Sequence, residues 1–198
     1  FLRTDVGPVK RRIFFQLGKL SQEADTLHAQ VIELDRYAFL HSPGGLTPFF
    51  TQLATDRRVV QHIGNGKPWT PKEISKRTKA SLAEIPLTKE GSARWFVAEI
   101  SEESVGLLAC TRRATGVEIG YWVSPEHWGR GIAGTLVDQA QTDIPVLFQT
   151  STLIAHVSPD NEASARVLIR RGFEREAQDK DLARYVWCAP ARLESLYR

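Results

Sequence analysis

Apolar positions along this chain recur with two different periods, and each period predicts its own kind of element. Near the start, Ile13, Leu17, Leu20, Ala24, Leu27 and Val31 follow one another at steps of four and three, one stripe of an amphipathic helix. Such a stripe must be covered. Its partner is either the chain's own core or the same helix of a second copy, since this spacing also suits a helix-pairing seam. Residues 1–30 therefore read as a helical extension in front of a domain spanning 31–198. From Ile32 to Leu40 the pattern turns to alternation, which predicts a first strand. Leu46 to Leu53 reads as a short helix behind the Pro43-Gly44-Gly45 turn.

The next helix announces its own start. Thr70 is a natural N-cap, Pro71 falls on the first helical position, and Glu73 closes a capping box three residues on. Three strand-like segments follow, Ala93 to Ile100, Val105 to Arg113 and Val117 to Val123, with separators short enough for hairpins. They predict an antiparallel meander. Beyond it lie a helix over about 130–142, a strand Leu153 to Val157, a helix over 161–171, and strands Phe173 to Glu176 and Ala183 to Trp187. Pro145 predicts that the long helix kinks or stops before Phe148. The fold class is α+β, with a meander feeding a helix-linked, locally parallel pair of strands.

Composition narrows the function classes. At 198 residues with 42% hydrophobic and 25% charged positions, the chain can bury one core and is too apolar for disorder. No run approaches the roughly 20 apolar residues that span a bilayer, and no signal-peptide order is present, so no membrane partner is expected. Cys110 and Cys188 stand far apart without metal-ligand spacing; no metal site is expected, and a reduced, cytoplasmic chain is the economical reading. The sequence holds no methionine, not even at position 1, so a natural start upstream of Phe1 is an expectation. Its 26 Lys+Arg are diluted by 23 Asp+Glu, a balance that suits an anionic ligand as well as nucleic acid. A nucleic-acid binder resting on Lys10-Arg11-Arg12 is the weakest of the readings, and no nucleic-acid partner is expected.

The chemistry concentrates between Ile119 and Gly134. A strand runs into the turn at Pro125, then into a glycine-spaced loop, then into a helix with apolar periodicity at Ile132, Leu136, Val137 and Ala140. Glycines let backbone N–H groups approach a ligand, and a helix start offers unpaired donors with about half a positive charge. Together they suit a phosphate or pyrophosphate, and Arg130 adds charge. Gly129-x-Gly131-x-x-Gly134 also spells the dinucleotide fingerprint, but the context fails. The motif comes late, Pro125 to Trp128 separate it from its strand, and the following strand does not end in a carboxylate.

On these residues the chain resembles the GNAT superfamily of acetyl-CoA-dependent N-acetyltransferases, and within it the RimJ/RimL-type branch, which acetylates protein N-terminal amines and related acceptors. One signature falls on Trp128-Gly129-Arg130-Gly131-Ile132-Ala133. The second falls on Asn161-x-x-Ser164, followed by Leu168 and Arg171-Gly172-Phe173. Trp69-Thr70-Pro71 and Glu118-Ile119-Gly120-Tyr121-Trp122 match weaker habits of the family. The resemblance covers about residues 32–187. It implies an α/β/α sandwich around a mixed, mostly antiparallel sheet whose fourth and fifth strands splay apart. Acetyl-CoA would enter that wedge, its pyrophosphate on the loop Trp128 to Ala133 and its pantetheine along Tyr121, Trp122 and Val123, with Asn161 reaching it from the other side. Asn161 also reads as the N-cap of the helix that follows.

The resemblance implies direct attack of a primary amine, of a protein N-terminus or a small molecule, on the thioester. A backbone N–H of the Tyr121–Val123 stretch would polarise the carbonyl. Glu118 and His156 are the candidate bases. His156 lies five residues before Asn161, where a sister branch places a catalytic glutamate, and imidazole is the side chain that titrates near neutrality. His127, beside the loop, would meet cofactor or solvent. Many relatives carry a tyrosine as general acid seven residues after the asparagine. Leu168 stands there instead, which leaves Ser164 as the candidate acid and admits a catalytically silent acyl-CoA-binding module as the alternative. Tyr121, Trp122, Trp69 and Trp95 are candidate walls of the acceptor slot.

Overall fold

The computed structural model describes residues 30–33, 46–101, 103–179 and 182–190. The helix expected over the N-terminal stripe and positions 34–40 of the first expected strand lie outside the described residues. Val31, read as the last member of the stripe, is in a strand instead. That strand, β1 (Gln30–Glu33), pairs antiparallel with the next.

Among the described residues, seven strands form one sheet in the order β1-β2-β3-β4-β5-β7-β6. β2 (Ala93–Ile100), β3 (Glu103–Arg113) and β4 (Gly116–Val123) are the expected antiparallel meander. β5 (Thr152–Val157) runs parallel to β4, and β6 (Glu174–Asp179) and β7 (Leu182–Cys188) complete the far side. The sheet is covered on both faces, and β2 shows why. Trp95 and Val97 point into a cluster with Phe50, Leu53 and Ile74, while Phe96, Ala98 and Ile100 point into the larger core with Leu136, Val137 and Phe148. Successive side chains of a strand alternate faces, so a strand with an unbroken apolar run, Trp95 to Ala98 here, needs a layer on each side. Burying each such Leu, Val or Phe is worth about 1.5–3 kcal/mol.

One layer holds α1 (Leu46–Thr55), a single turn α2 (Arg57–Val60) and α3 (Pro71–Ser81). The start of α3 is the capping box read from the sequence. Thr70 accepts from the Glu73 N–H at 3.3 Å, and Glu73 accepts from the Thr70 N–H at 2.7 Å. The other layer holds α4 (Ile132–Phe148) and α5 (Glu162–Ile169). Of the two outcomes expected from Pro145, a kink or a stop before Phe148, the stop does not occur, and α4 runs through Phe148. Pro145 is fully buried in the core, and only three residues of helix follow it before Gln149 takes the left-handed conformation and the Thr150 N–H closes back on the Pro145 carbonyl at 3.0 Å. Near a C-terminus the ring forfeits one helical hydrogen bond, which its burial offsets.

The feature that positions the site is the β4–β5 junction. The two strands pair only at Val117↔Leu153 and Glu118↔Ile154. Past that point β4 stays with β3 as far as Val123↔Gly106, and β5 stays with β7 as far as Val157↔Ala183. Each strand is held by its outer neighbour, so the sheet opens into a wedge.

Candidate active site

The loop between β4 and α4 closes one side of the wedge. A 3₁₀ turn, Pro125–His127, leads to Gly129 and Gly131 at φ of +75° and +79°, a conformation only glycine takes without strain. Gly131 is the N-cap residue of α4 and has no side chain to cap with, so the first-turn N–H donors are left for another partner. Trp128 braces the loop, its indole N–H donating to the Val123 carbonyl at 2.9 Å while its ring stays half exposed. Gly134 has a different task. Arg171 lies across it, donating from Nε to the Gly134 carbonyl at 2.8 Å, and a Cβ there would sit 2.1 Å from the guanidinium. The third glycine of the fingerprint-like spacing makes room for an arginine.

Between this loop, the open end of β4 and the start of α5 lies a cavity of about 630 Å3. Its lining includes Tyr121, Trp122, Val123, Trp128, Gly129, Gly131, Ile132, Ala133 and Asn161, all expected at a cofactor site; Arg130 is exposed and does not line it. The charge comes from elsewhere. Arg58, Arg166, Arg170 and Arg171 contribute to the wall, and among the described residues no carboxylate does. Three of the four hold acids outside the cavity: Arg58 pairs with Asp56 and Glu126, Arg166 with Glu162, and Arg171 with Asp138. Arg170 has no ion pair among the described residues. His127 is buried against the same cavity, its Nδ1 without a hydrogen-bond partner and its Nε2 3.9 Å from Glu103.

A second cavity, about 840 Å3, opens on the other side of the wedge and shares Tyr121, Trp122, Asn161, Ser164, His62 and Ile63 with the first. The two expected bases face it together and form a pair. His156 Nδ1 is 3.2 Å from Glu118 Oε1, and Arg113 Nε donates to Glu118 Oε2 at 2.6 Å. Burial works to raise the Glu118 carboxyl, but the Arg113 guanidinium and the His156 ring outweigh it and hold it below the usual carboxylate range. A carboxylate so held is a weak proton acceptor and a firm anchor for an imidazole. Trp69, Trp95 and Trp122 line this cavity too, though Trp95 is only 5% exposed and belongs to the core.

At the shared neck the Tyr121 hydroxyl reaches Ser164. It lies 2.6 Å from Oγ, a contact that runs in either direction, and donates to the Ser164 carbonyl at 3.1 Å. Burial pushes the Tyr121 phenol up to about 12 despite that hydroxyl contact. Asn161 accepts from the Ser164 N–H at 3.1 Å and so is the N-cap of α5, while its side chain also lines both cavities. Leu168 is fully buried in the main core. His62 is a neck residue that sequence reasoning missed; its Nδ1 is 3.5 Å from Asp160 Oδ1, without hydrogen-bond geometry. It precedes the Gly64-Asn65-Gly66 turn, and nothing in the local sequence says that turn folds over the wedge. Arg170 was missed as well. Its signal was its place beside Arg171 in the second signature. No group of three or more His, Cys, Asp or Glu able to hold a metal ion occurs among the described residues.

A sheet split between strands four and five, a glycine loop feeding a helix N-terminus, and a cationic cavity at their junction are the features that place this chain among known folds. A family model described as an acetyltransferase (GNAT) domain matches residues 42–174. The chain belongs to the GNAT acetyltransferase family. It is 34% identical over 73 residues to the uncharacterized N-acetyltransferase YoaA of Bacillus subtilis (strain 168), a stretch that is 37% of this chain. That match spans about two-fifths, 41%, of the relative's length. Its fold is shared by spermidine N-acetyltransferase from Vibrio cholerae, solved with CoA and spermine, at a TM-score of 0.64 and 18% identity over 85% of this chain and 97% of that one. It is shared too by RimL, the ribosomal L7/L12 alpha-N-protein acetyltransferase, solved with CoA, at a TM-score of 0.60 and 20% identity over 72% and 88% of the two chains.

Proposed function

We propose that the chain transfers the acetyl group of acetyl-CoA to a primary amine, of a protein N-terminus or a small molecule, by direct attack on the thioester, as a RimJ/RimL-like member of its family. The observation that carries this reading is an arginine-lined cavity, with no carboxylate in its wall among the described residues, meeting a second cavity that holds an imidazole–carboxylate pair. The first-turn N–H groups of α4, the loop Trp128 to Ala133 and Arg170 bind the diphosphate, with Arg130 adding charge from outside the cavity wall. Tyr121, Trp122, Val123 and the amide of Asn161 flank the pantetheine arm. The orphaned Nδ1 of His127 is available to the same ligand.

His156 is the base. Its Nδ1 is tied to Glu118, so Nε2 takes the proton released as the amine nitrogen bonds to the acyl carbon. An α-amine, with a pKa of about 7.7–8.0, needs less from this base than a lysine at about 10.4. A backbone N–H of the open β4 edge polarises the carbonyl. As the carbon–sulfur bond breaks, Ser164 donates to the departing sulfur and Tyr121 stands behind it. A thiol titrates near 8.5, so a hydrogen bond suffices where a tyrosine at position 168 would transfer a proton. Relatives of this fold act on spermidine and on a ribosomal protein, which supports an amine acceptor without choosing one. The N-terminal stripe as a homodimer contact belongs to the same proposal, as does a cytoplasmic setting for the unpaired Cys110 and Cys188. Thiol release from acetyl-CoA across an amine panel tests it. Amine-dependent release is expected; CoA binding with no release for any acceptor makes the chain a silent acyl-CoA-binding module.

A further inference from the structure

The second cavity also carries a charge pattern that the acetyl-transfer chemistry does not use. Each carboxylate that lines it among the described residues already faces a cation. Glu118 is held by Arg113 and His156. Glu73 is committed to the Thr70 cap through one oxygen and feels Arg77 one helical turn on. Lys67, Arg77 and Arg113 stand against Glu73 and Glu118, so fixed cations exceed carboxylates by one among the described residues. Lys67 lines the cavity with no ion pair for its ammonium among the described residues. Arg77 lines it too, its guanidinium carbon 4.3 Å from the Trp69 ring centroid and likewise without an ion pair there. Lys67, two residues before Trp69 in the chain, lines the same cavity as Trp69 and Arg77.

Resting on the acetyltransferase reading, we propose that the acceptor is a primary amine that also carries a carboxylate, seated between Lys67 and Arg77 beside Trp69, and that polycations are rejected. A cleft lined by one sign of charge concentrates ligands of the other sign. A polyamine would bring further ammonium groups to a wall where, among the described residues, fixed cations already outnumber carboxylates, and repulsion of that kind is how a site excludes a competitor. The carboxylate has two sources, a small amino acid or an acidic residue following a peptide N-terminus.

The test uses the full chain with two matched sets of acceptors. One set is butylamine, 1,4-diaminobutane and 4-aminobutyrate; the other is tripeptide amides with two neutral, two basic or two acidic residues after the N-terminus. In at least one set the anionic member is expected to exceed the neutral one about tenfold in kcat/KM, with the cationic member lowest, and the set that responds names the source. Lys67→Glu and Arg77→Glu should invert that order while leaving CoA affinity unchanged, since neither residue lines the first cavity. Equal or faster turnover of the cationic members overturns the inference, as does an unchanged order in both variants. If CoA binds and nothing turns over, the catalytic reading fails alone. The same order read as affinity by calorimetry on the CoA-bound protein then upholds the acceptor class, and its absence overturns it.

Discussion

His156, Glu118 and Arg113 form a chain of contacts in which each member fixes the next, and their separate removal has separable consequences. His156→Ala should lower kcat by about 10²–10⁴-fold with CoA affinity unchanged. Glu118→Gln should cost less, because it frees the ring without deleting it. Full rates for both variants between about pH 6 and 9 would exclude the pair from proton transfer. Glu118 also has a stability signature. Its carboxyl is held below its ordinary value in the folded chain, so its stabilisation is present above the unfolded pKa of about 4.3 and is lost as pH falls through the folded value. Wild type should therefore exceed Glu118→Gln by about 1 kcal/mol near neutrality, with the gap closing below about pH 4; a gap that widens on acidification contradicts the pairing. At the neck, the Tyr121 phenol at about 12 remains a donor at every working pH. Tyr121→Phe should lower kcat without changing the shape of the pH–rate profile below about pH 11. The glycine loop and Asn161 were legible as residues because their chemistry is local. The Glu118–His156 contact joins positions 38 residues apart and was legible only as two separate candidates.

At the scale of elements, the wedge depends on how two strands part, and Gly116 guards the place where they are still joined. A Cβ there would lie 2.6 Å from the Thr152 carbonyl oxygen, closer than any backbone contact allows. Gly116→Ala should destabilise the fold by about 1–3 kcal/mol in urea denaturation, and a neutral result would mean the junction is not held at this point. Gly134→Ala is a contrasting case. Its Cβ meets the far end of Arg171, a side chain that can swing away, so the expected loss is in CoA affinity rather than in stability. The sequence announced α3 through Thr70, Pro71 and Glu73, and it announced the meander through short polar separators. The stop expected at Pro145 does not occur, because local rules speak of the lost hydrogen bond and are silent on tertiary burial. Val31 misled in a similar way, since a helical period can end on a residue that already belongs to the next strand.

For the molecule as a whole, two cavities meet at one neck, and the arginines of the first are supplied by α2, α5 and the turn that follows α5. No local pattern could assemble that wall, which is why Arg130, inside the motif, was read as its cation while Arg170, outside the loop, was passed over. Arg170→Glu should therefore weaken CoA at least about tenfold, more than Arg130→Glu does, and the reverse order would return the role to the loop. The measurement that bears most directly on this account is a calorimetric titration of CoA into the folded chain at low salt. Saturable binding of one CoA per chain, weakened as salt is raised, is the predicted outcome. A flat titration from a protein whose denaturation shows it to be folded would contradict it.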